Sequence, residues 1–434
     1  MIFNLPPIFG LFPLLLYILL SFKKNMHVLT NILICVAVAA VMVKVPLPTL
    51  GQVIYESMGS FLALIGFIIM LGSGLGVILR KTGAVHVIVY FLIRKIGIKT
   101  QKRAILTTMA CTITIVTMLG TLAGANAVIA PLLIPLVSAV GITPATLAVI
   151  FQGAGQTGQF LCPFSPCMVT LMSITGLPYS KVLLMCSLPV SIVMWIGTYF
   201  VALKVQKDTE GKESYSKEDE LDAEPREITA KEKRATAGFL ISMAVTIAYA
   251  MITNGGASFV IFIMIVCAVV TGLCGGLSAS EICDSMMEGA GKMVYLYFML
   301  VLFTPFLNFI SQSGAFDALV SLIQPMFNHA GKLGFSLLTI LVGIFGINGA
   351  AIAQALMIDS LFNGFLPGLG ISMPLWGMIV LIGSQITSYA YPGIDMIGQM
   401  GLARSNNVKA MLKLAYYAII PSTVILGCIA TFIL

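Results

Sequence analysis

Long apolar segments without the polar–apolar alternation of a β-strand dominate the chain. Each clear segment covers roughly 17–25 residues, the length that an α-helix needs to cross the hydrocarbon core of a bilayer. These segments are 5–22, 28–45, 58–79, 181–203, 237–253, 257–275, 291–312 and 411–434. Lipid offers the backbone no hydrogen-bond partners, so only helices or a closed barrel can span it, and the missing alternation favours helices. We therefore predict an all-α polytopic membrane protein with about 11 spans.

Two stretches of the chain read as copies of one segment. The first covers 141–163 and the second covers 370–392, and both are apolar with glycine, proline and amide residues in the middle. Three pairs of landmarks are each 229 positions apart: Gly141 and Gly370, Gln156 and Gln385, and Pro163 and Pro392. Duplicated halves with interrupted helices at matching places point to the binding site of a transporter.

The composition places most of the chain in lipid. Hydrophobic residues make up 59% of it and charged residues only 9%, whereas a soluble domain carries about 25% charge. The net charge of +7 comes largely from basic residues that flank apolar segments, which indicates membrane orientation rather than nucleic-acid binding. The positive-inside rule puts the basic stretch 94–103 and a charged linker at 204–235 in the cytoplasm, beneath a bacterial-type plasma membrane.

Segment 5–22 is also compatible with a signal peptide. Lys23 and Lys24 follow this segment rather than precede it, which favours a retained first helix. The nine cysteines lie mostly within apolar segments, and an odd number of buried cysteines argues against a disulfide framework. The sequence shows no catalytic set and no cluster of metal ligands, so neither an enzyme nor a resident cofactor is expected.

The charged linker divides the chain into two halves of similar make-up. Residues 204–235 hold 10 of the 17 acidic residues, and a stretch with almost no apolar content cannot bury a core. The first half, 1–203, crosses the membrane an odd number of times, so the second half, 236–434, starts from the opposite face. The halves are therefore predicted to be inverted repeats, which alternating access around a midplane site requires.

A hairpin and a broken helix are predicted in the first half, after a surface helix at 84–93. The apolar stretch 104–140 is read either as two full spans or as a re-entrant hairpin that turns between Gly120 and Asn126. The hairpin is favoured, because each arm is only about 15 residues long. The stretch 142–175 follows as a broken helix, because three glycines (153, 155 and 158) and the prolines at 163 and 166 disfavour a continuous one.

The second half repeats this plan. Its predicted elements are an amphipathic piece at 279–289, a surface helix at 315–328, a hairpin at 332–366 and a broken helix at 371–403. The hairpin turns near Asn348, and the gap of the broken helix is predicted between Gly383 and Asp395.

Polar side chains at the hairpin turns and in the gaps are the candidates for substrate binding. A broken helix exposes N–H groups that attract anions and C=O groups that coordinate cations, and nearby amides and hydroxyls can add to either. The candidates are Asn126, Gln156, Thr157, Ser165, Asn348, Ser384, Gln385 and Thr387. Membrane amides also serve as plain interhelical contacts, but the shared offset of Gln156 and Gln385 favours binding for that pair.

Two acidic residues outside the linker lie at membrane depth. Asp359 is in the return arm of the second hairpin, and Asp395 is at the end of the second gap. An ionisable residue there costs several kcal/mol unless it is paired, hydrated or ligated, so both are candidates for coupling to Na⁺ or H⁺. The alternatives are a place near the membrane surface for Asp359 and a helix N-cap for Asp395.

At these residues the chain resembles the ion transporter superfamily of secondary carriers, which includes divalent-anion/sodium symporters, gluconate-type permeases and NhaC-type antiporters. The run from Ala125-Asn126-Ala127 to Pro135 is similar to the Ser-Asn-Thr hairpin tip of the symporters, with alanines where hydroxyls would stand. Phe164-Ser165-Pro166 is similar to the Ser-Pro element of the antiporters. The resemblance implies a homodimer in which hairpins and broken helices form a moving transport domain.

Two transport hypotheses follow. The leading one is an H⁺- or Na⁺-coupled secondary transporter of a small polar organic solute, with a carboxylate favoured, that works by elevator-type alternating access. The alternative is a Na⁺/H⁺ antiporter without an organic substrate, in which Asp359 and Asp395 bind the ions.

Overall fold

The predicted all-α fold is confirmed. The structure is a computed structural model that describes residues 5–21, 28–216, 228–253, 258–346 and 351–434. Every regular element in these ranges is a helix. The apolar segments thus satisfy their backbone hydrogen bonds internally, as lipid requires.

The helices before the linker follow the predicted order, with one addition. A 3₁₀ turn at Pro7–Leu11 leads into α1 (Phe12–Ser21), α2 (Val28–Met42), α3 (Leu47–Ser57), α4 (Phe61–Lys81), α5 (Ala84–Ile96), α6 (Gln101–Leu119), α7 (Leu122–Ser138), α8 (Pro144–Leu161), α9 (Pro166–Thr175) and α10 (Tyr179–Thr209). The addition is α3, which is too short and too polar on one face to have appeared as an apolar segment.

The helices after the linker repeat the same succession. They are α11 (Ala230–Thr253), α12 (Phe259–Cys274), α13 (Ala279–Gly291), α14 (Val294–Gln312), α15 (Ala315–Ile344), α16 (Ala351–Phe362), α17 (Met373–Gln385), α18 (Thr387–Ala390), α19 (Ile394–Leu402) and α20 (Val408–Ile433). Within α15 the backbone is not helical at Gly331, whose φ is 63°. This break separates the predicted surface helix from the outgoing arm of the second hairpin.

The polytopic membrane architecture is also confirmed. Six helices in the described ranges are long and apolar enough to cross a membrane: Phe61–Lys81, Gln101–Leu119, Tyr179–Thr209, Val294–Gln312, Ala351–Leu369 and Val408–Ile433. Shorter apolar helices, α2, α7, α9 and α12 among them, accompany these six. The inverted orientation of the two halves stays a prediction.

The turn of the first hairpin lies inside the protein. Gly120 ends α6 with a left-handed φ of 69° and is buried. A Cβ at Gly120 would lie 3.4 Å from Cys162 Sγ and 3.4 Å from the Phe164 ring. The turn therefore packs against the break of the next helix. Because α6 has 19 residues and is long enough to cross a membrane, the re-entrant interpretation of 104–140 stays a prediction.

The break in the first broken helix is shorter than predicted. α8 continues without interruption to Leu161, and only residues 162–165 separate it from α9. The glycines of α8 therefore do not end the helix. They let neighbours approach instead, because a Cβ at Gly158 would lie 2.6 Å from Val116 and one at Gly153 would lie 2.3 Å from Thr198. Packing of this kind outweighs the weak helix propensity of glycine, about 1 kcal/mol per residue.

The second broken helix is interrupted at two points. A single residue, Ile386, separates α17 from the short α18, and residues 391–393 separate α18 from α19. The gap predicted between Gly383 and Asp395 is thus mostly helical, and Asp395 belongs to the first turn of α19.

A π-helical turn occurs at the same place in both halves. It covers Leu183–Ser187 in α10 and Ala415–Ile419 in α20, and a proline follows two residues later in each case, at Pro189 and Pro421. Proline cannot donate a backbone hydrogen bond, and its ring clashes with the carbonyl four residues earlier. A wider turn relieves that clash. The matched turns support the duplication inferred from the 229-residue offset.

Each hairpin packs against parts of both broken helices. The first hairpin packs against α8 of the first broken helix and against α19 of the second. The second hairpin packs against α17 of the second broken helix and against α9 of the first. Each hairpin thus touches the leading half of its own broken helix and the trailing half of the other.

A second group of helices packs beside this core. α4 contacts α12, α13 and α14, and α14 also contacts α2. The predicted amphipathic piece, now α13, packs very closely on α4, because a Cβ at Gly289 would lie 2.5 Å from the backbone of Gly74.

The residues that follow α10 bind the far end of the second broken helix. The Tyr215 hydroxyl donates to the Ala403 carbonyl at 3.0 Å, and the Asn407 side chain donates to Glu213 at 2.7 Å. The start of the predicted linker 204–235 is therefore attached to the core, while 217–227 lies outside the described residues.

Candidate functional site

The two broken helices meet at a pair of buried glutamines. Gln156 Nε2 donates to Gln385 Oε1 at 3.4 Å. Gln156 lies in the last turns of α8 and Gln385 is the final residue of α17. Only 4% and 6% of the two residues is exposed. Gln156 is therefore not in the gap itself, but the structure brings together the two residues that share the repeat offset.

Two further hydrogen bonds join the same helices. Gln152 Nε2 donates to Ser388 Oγ at 3.4 Å, and the Tyr389 hydroxyl donates to the Gln152 main-chain carbonyl at 2.8 Å. Tyr389 is completely buried. Its hydroxyl positions α18 against α8, so Tyr389 packs inside the protein.

Asn126 of the first hairpin binds both broken helices. Its Nδ2 donates to the Phe151 carbonyl of α8 at 3.2 Å and to Gln399 Oε1 of α19 at 2.6 Å. Because the Phe151 carbonyl can only accept, Asn126 must point its Nδ2 toward it, and this fixes the orientation of the Asn126 amide. Asn126 Oδ1 is then buried without a hydrogen-bond partner among the described residues, as is Thr112 Oγ1 in the opposite arm.

The second hairpin contains a matching residue, Gln354, which the sequence had not indicated. Its Nε2 donates to the Gly343 carbonyl and, at 2.8 Å, to the Gly383 carbonyl of α17. Gln354 Oε1 and Thr339 Oγ1 of the opposite arm are likewise buried without a partner in the described part of the chain. Asn348, the residue predicted for this role, lies outside the described residues.

Each hairpin therefore presents an amide oxygen and at least one threonine hydroxyl to the interior, since Thr117 of the first hairpin is also buried without a partner among the described residues. The amide nitrogens are bound to main-chain carbonyls, which leaves the oxygens as acceptors. A buried acceptor without a donor costs about 1–3 kcal/mol. These oxygens are suited to a cation or to a hydrogen-bond donor on a ligand.

Thr157 and Ser165 have their hydrogen bonds inside the protein. Thr157 Oγ1 donates to the Ala154 carbonyl at 2.6 Å and accepts from the Trp195 indole at 2.7 Å. Ser165 is the N-cap of α9, where it accepts from the Met168 amide at 3.1 Å. Both side chains position the broken helix.

The residues of the second break include one that contacts the end of the outgoing arm of the second hairpin. Ser384 Oγ accepts from Gln385 Nε2 at 3.4 Å, and Thr387 is buried at the start of α18. The Tyr391 hydroxyl donates to the Gly346 carbonyl at the end of the outgoing hairpin arm. Tyr391 therefore connects the break to the hairpin.

The two candidate carboxylates have different surroundings. The Trp376 indole donates to Asp359 Oδ1 at 2.8 Å, and Trp376 lies nine residues before Gln385, about 14 Å along α17. Asp395 forms no hydrogen bond or ion pair with a described residue. The N-cap of α19 is Gly393, so the alternative role of Asp395 as the cap is wrong.

The first hairpin and the first broken helix contain no positively charged side chain that could bind an anion. Residues 104–175 contain no charged side chain. Two helices begin without a side-chain cap, α7 after Thr121 and α19 after Gly393. The first turns of both are partly exposed, and the two helices contact each other. Their free N–H groups can bind an anion.

The two broken helices contact each other through buried amides and pack against two hairpins. This combination is typical of a secondary membrane carrier. The model of the DcuC family of C4-dicarboxylate anaerobic carriers matches residues 13–387, and the chain belongs to that family. The membrane localisation and the non-enzymatic role expected from the sequence are confirmed by this membership.

A solved structure supports the fold. The YdaH transporter of Alcanivorax borkumensis superposes with a TM-score of 0.61 at 14% sequence identity, over 98% of this chain and 97% of that one. Its structure was described as having an unusual topology. A comparison with curated protein sequences gives no significant match.

Proposed function

We propose that the protein is a cation-coupled transporter of small C4 dicarboxylates whose substrate binds where the two broken helices meet. The observation that carries this proposal is the buried Gln156–Gln385 contact, which joins equivalent residues of the two halves at 3.4 Å. Family membership supports the substrate class.

The substrate is held by donors rather than by basic side chains. The free N–H groups at the starts of α7 and α19 accept one carboxylate. The amide groups of Gln156 and Gln385 rotate to bind the other, because an amide can donate as well as accept. Ser384 and Thr387, which neighbour Gln385, add hydroxyls. This arrangement needs no arginine, consistent with the uncharged stretch 104–175.

The coupling ion is Na⁺ or H⁺. Asn126 and Gln354 offer buried amide oxygens in equivalent hairpins, which suit Na⁺. Asp395, which forms no bond with another described residue, suits either ion. Asp359 is held by Trp376 and has a positioning role.

Transport proceeds by elevator-type alternating access. In this proposal the hairpins and broken helices, which contact one another, form one body, and α4 with α12, α13 and α14 forms the other. The body of hairpins and broken helices carries the substrate across the bilayer, and the α4 group anchors a homodimer. The packing of each hairpin against both broken helices and the matched π turns support an inverted duplication.

The test is uptake of a labelled C4 dicarboxylate by purified protein in liposomes, under an imposed Na⁺ or pH gradient. We expect uptake driven by one gradient, reduced in Gln156→Ala and kept in Gln159→Ala, a glutamine of the same α8 that has no side-chain hydrogen bond in the described structure. Gradient-driven proton exchange without uptake of any dicarboxylate would instead identify a Na⁺/H⁺ antiporter.

A further inference from the structure

The junction between α5 and α6 carries a dense group of basic side chains. Five lie within ten positions, and all are exposed: Arg94, Lys95, Lys99, Lys102 and Arg103. None forms an ion pair with an acidic residue in the described ranges. The sequence has no acidic residue between Glu56 and Asp208. Glu210 accepts a hydrogen bond from Gln101, the neighbour of Lys102, at 2.7 Å.

Exposed apolar side chains border this basic group. Phe91 is 60% exposed and Leu106 is 43% exposed. Lys95 Nζ lies 5.8 Å from the centre of the Phe91 ring, so the ammonium extends over an apolar surface. Basic heads beside exposed apolar groups are typical of segments that lie in the headgroup region of a bilayer.

The fold alone does not require this charge. The equivalent connecting segment of the second half, 315–332, carries only Asp317, His329 and Lys332 as ionisable residues. Both segments link a long span to a hairpin. The first one differs by its excess of basic residues, on the side that the positive-inside rule assigns to the cytoplasm.

We propose that the α5–α6 junction is a binding surface for anionic phospholipid headgroups of the inner leaflet. The phosphates bind the five basic side chains, and Phe91 and Leu106 contact the acyl chains. Charge complementarity selects this occupant, because anionic lipids attract basic segments at the cytoplasmic surface. Because α5 connects α4 to the first hairpin, the bound lipids hold the start of that hairpin at the membrane surface.

The test uses purified full-length protein in a neutral detergent, titrated with phosphatidylglycerol while thermal unfolding is followed. We expect saturable stabilisation that weakens with added salt. Phosphatidylcholine and inorganic phosphate should give none. The variant K99Q/K102Q/R103Q should bind at least about fivefold more weakly, the factor expected from losing even one such contact.

A matched control neutralises three exposed basic residues at the start of α11, in the variant K231Q/K233Q/R234Q. It should keep the phosphatidylglycerol affinity of the unmodified protein. Equal affinity in the K99Q/K102Q/R103Q variant, or equal stabilisation by phosphatidylcholine or phosphate, would overturn the proposal. The readout is binding, so its outcome does not depend on whether the protein transports dicarboxylates.

Discussion

Gln156 and Gln385 occupy equivalent positions in the two halves of the chain, and their side chains touch at 3.4 Å in the protein interior. Two residues that lie 229 positions apart in the sequence are therefore in contact in the structure. In the predicted inverted duplication, a side chain that meets its own repeat equivalent lies on or near the axis that relates the halves. A site on this axis can be reached from both sides of the membrane with similar geometry.

Replacing either glutamine should impair transport. Loss of one hydrogen bond to a charged ligand costs about 1.5–3 kcal/mol, so Gln156→Ala and Gln385→Ala should each lower initial uptake about 10- to 100-fold. The double variant should lose less than the sum of the two effects, because residues in contact are coupled. Uptake at equal reconstituted protein amounts measures this, and additive losses would show that the two residues act independently.

The two carboxylates should behave differently on neutralisation. Asp359→Ala removes the acceptor for the Trp376 indole and should lower the thermal unfolding midpoint while gradient-driven uptake persists. Asp395→Asn should leave the midpoint nearly unchanged, since no described residue loses a bond, and should abolish the response to the driving gradient. Unfolding curves and uptake measured on the same preparations distinguish the two. Gradient-driven uptake by Asp395→Asn would exclude a coupling role for that carboxylate.

Gly343 and Gly383 approach each other so closely that we expect position 343 to accept no side chain larger than that of glycine. A Cβ at Gly343 would lie 2.6 Å from Gly383 Cα, and both are backbone positions that cannot move aside easily. Gly343→Ala should therefore cost more than the 1–3 kcal/mol typical of overpacking and lower the yield of folded protein. Gly398→Ala is the control, because nothing lies within 4 Å of its Cβ and it should fold normally.

The contact between α4 and α13 should depend on pH. Hydrogen bonds from Lys81 and Lys292 hold the pKa of Glu288 below its usual value. A lowered pKa stabilises the folded state above the unfolded-state pKa, and this contribution disappears as the pH falls through the folded-state pKa. Glu288→Gln should thus lower the unfolding midpoint slightly at neutral pH and leave it unchanged in acid. An equal shift at both pH values would contradict this, and Asp317→Asn serves as the control.

The repeat made the core predictable from the sequence. The spacing of Gln156 and Gln385 and the prolines at 163 and 392 located both broken helices, because a duplicated break keeps its position even where individual residues change. The expected length of the arms favoured a re-entrant hairpin at 104–140, and this stays a prediction because α6 is long enough to cross a membrane. Hydropathy alone would have suggested two more spans there.

Features that depend on contacts were not predictable. The glycines of α8 looked like helix breakers, and only the nearness of Val116 and Thr198 shows that they serve packing. Gln354 gave no signal, because its role comes from reaching two main-chain carbonyls that are distant in sequence. The sequence also did not show that Asp359 accepts a hydrogen bond from Trp376, whereas Asp395 has no hydrogen-bond partner among the described residues.

The most direct test of the shared site is an experimental structure of the protein with a bound C4 dicarboxylate. We expect ligand density between the broken helices. Side-chain atoms of both Gln156 and Gln385 should lie within hydrogen-bond distance of the ligand, roughly 2.7–3.2 Å. A ligand that contacts only one broken helix, or that lies outside the crossing of α8 and α17, would contradict this expectation.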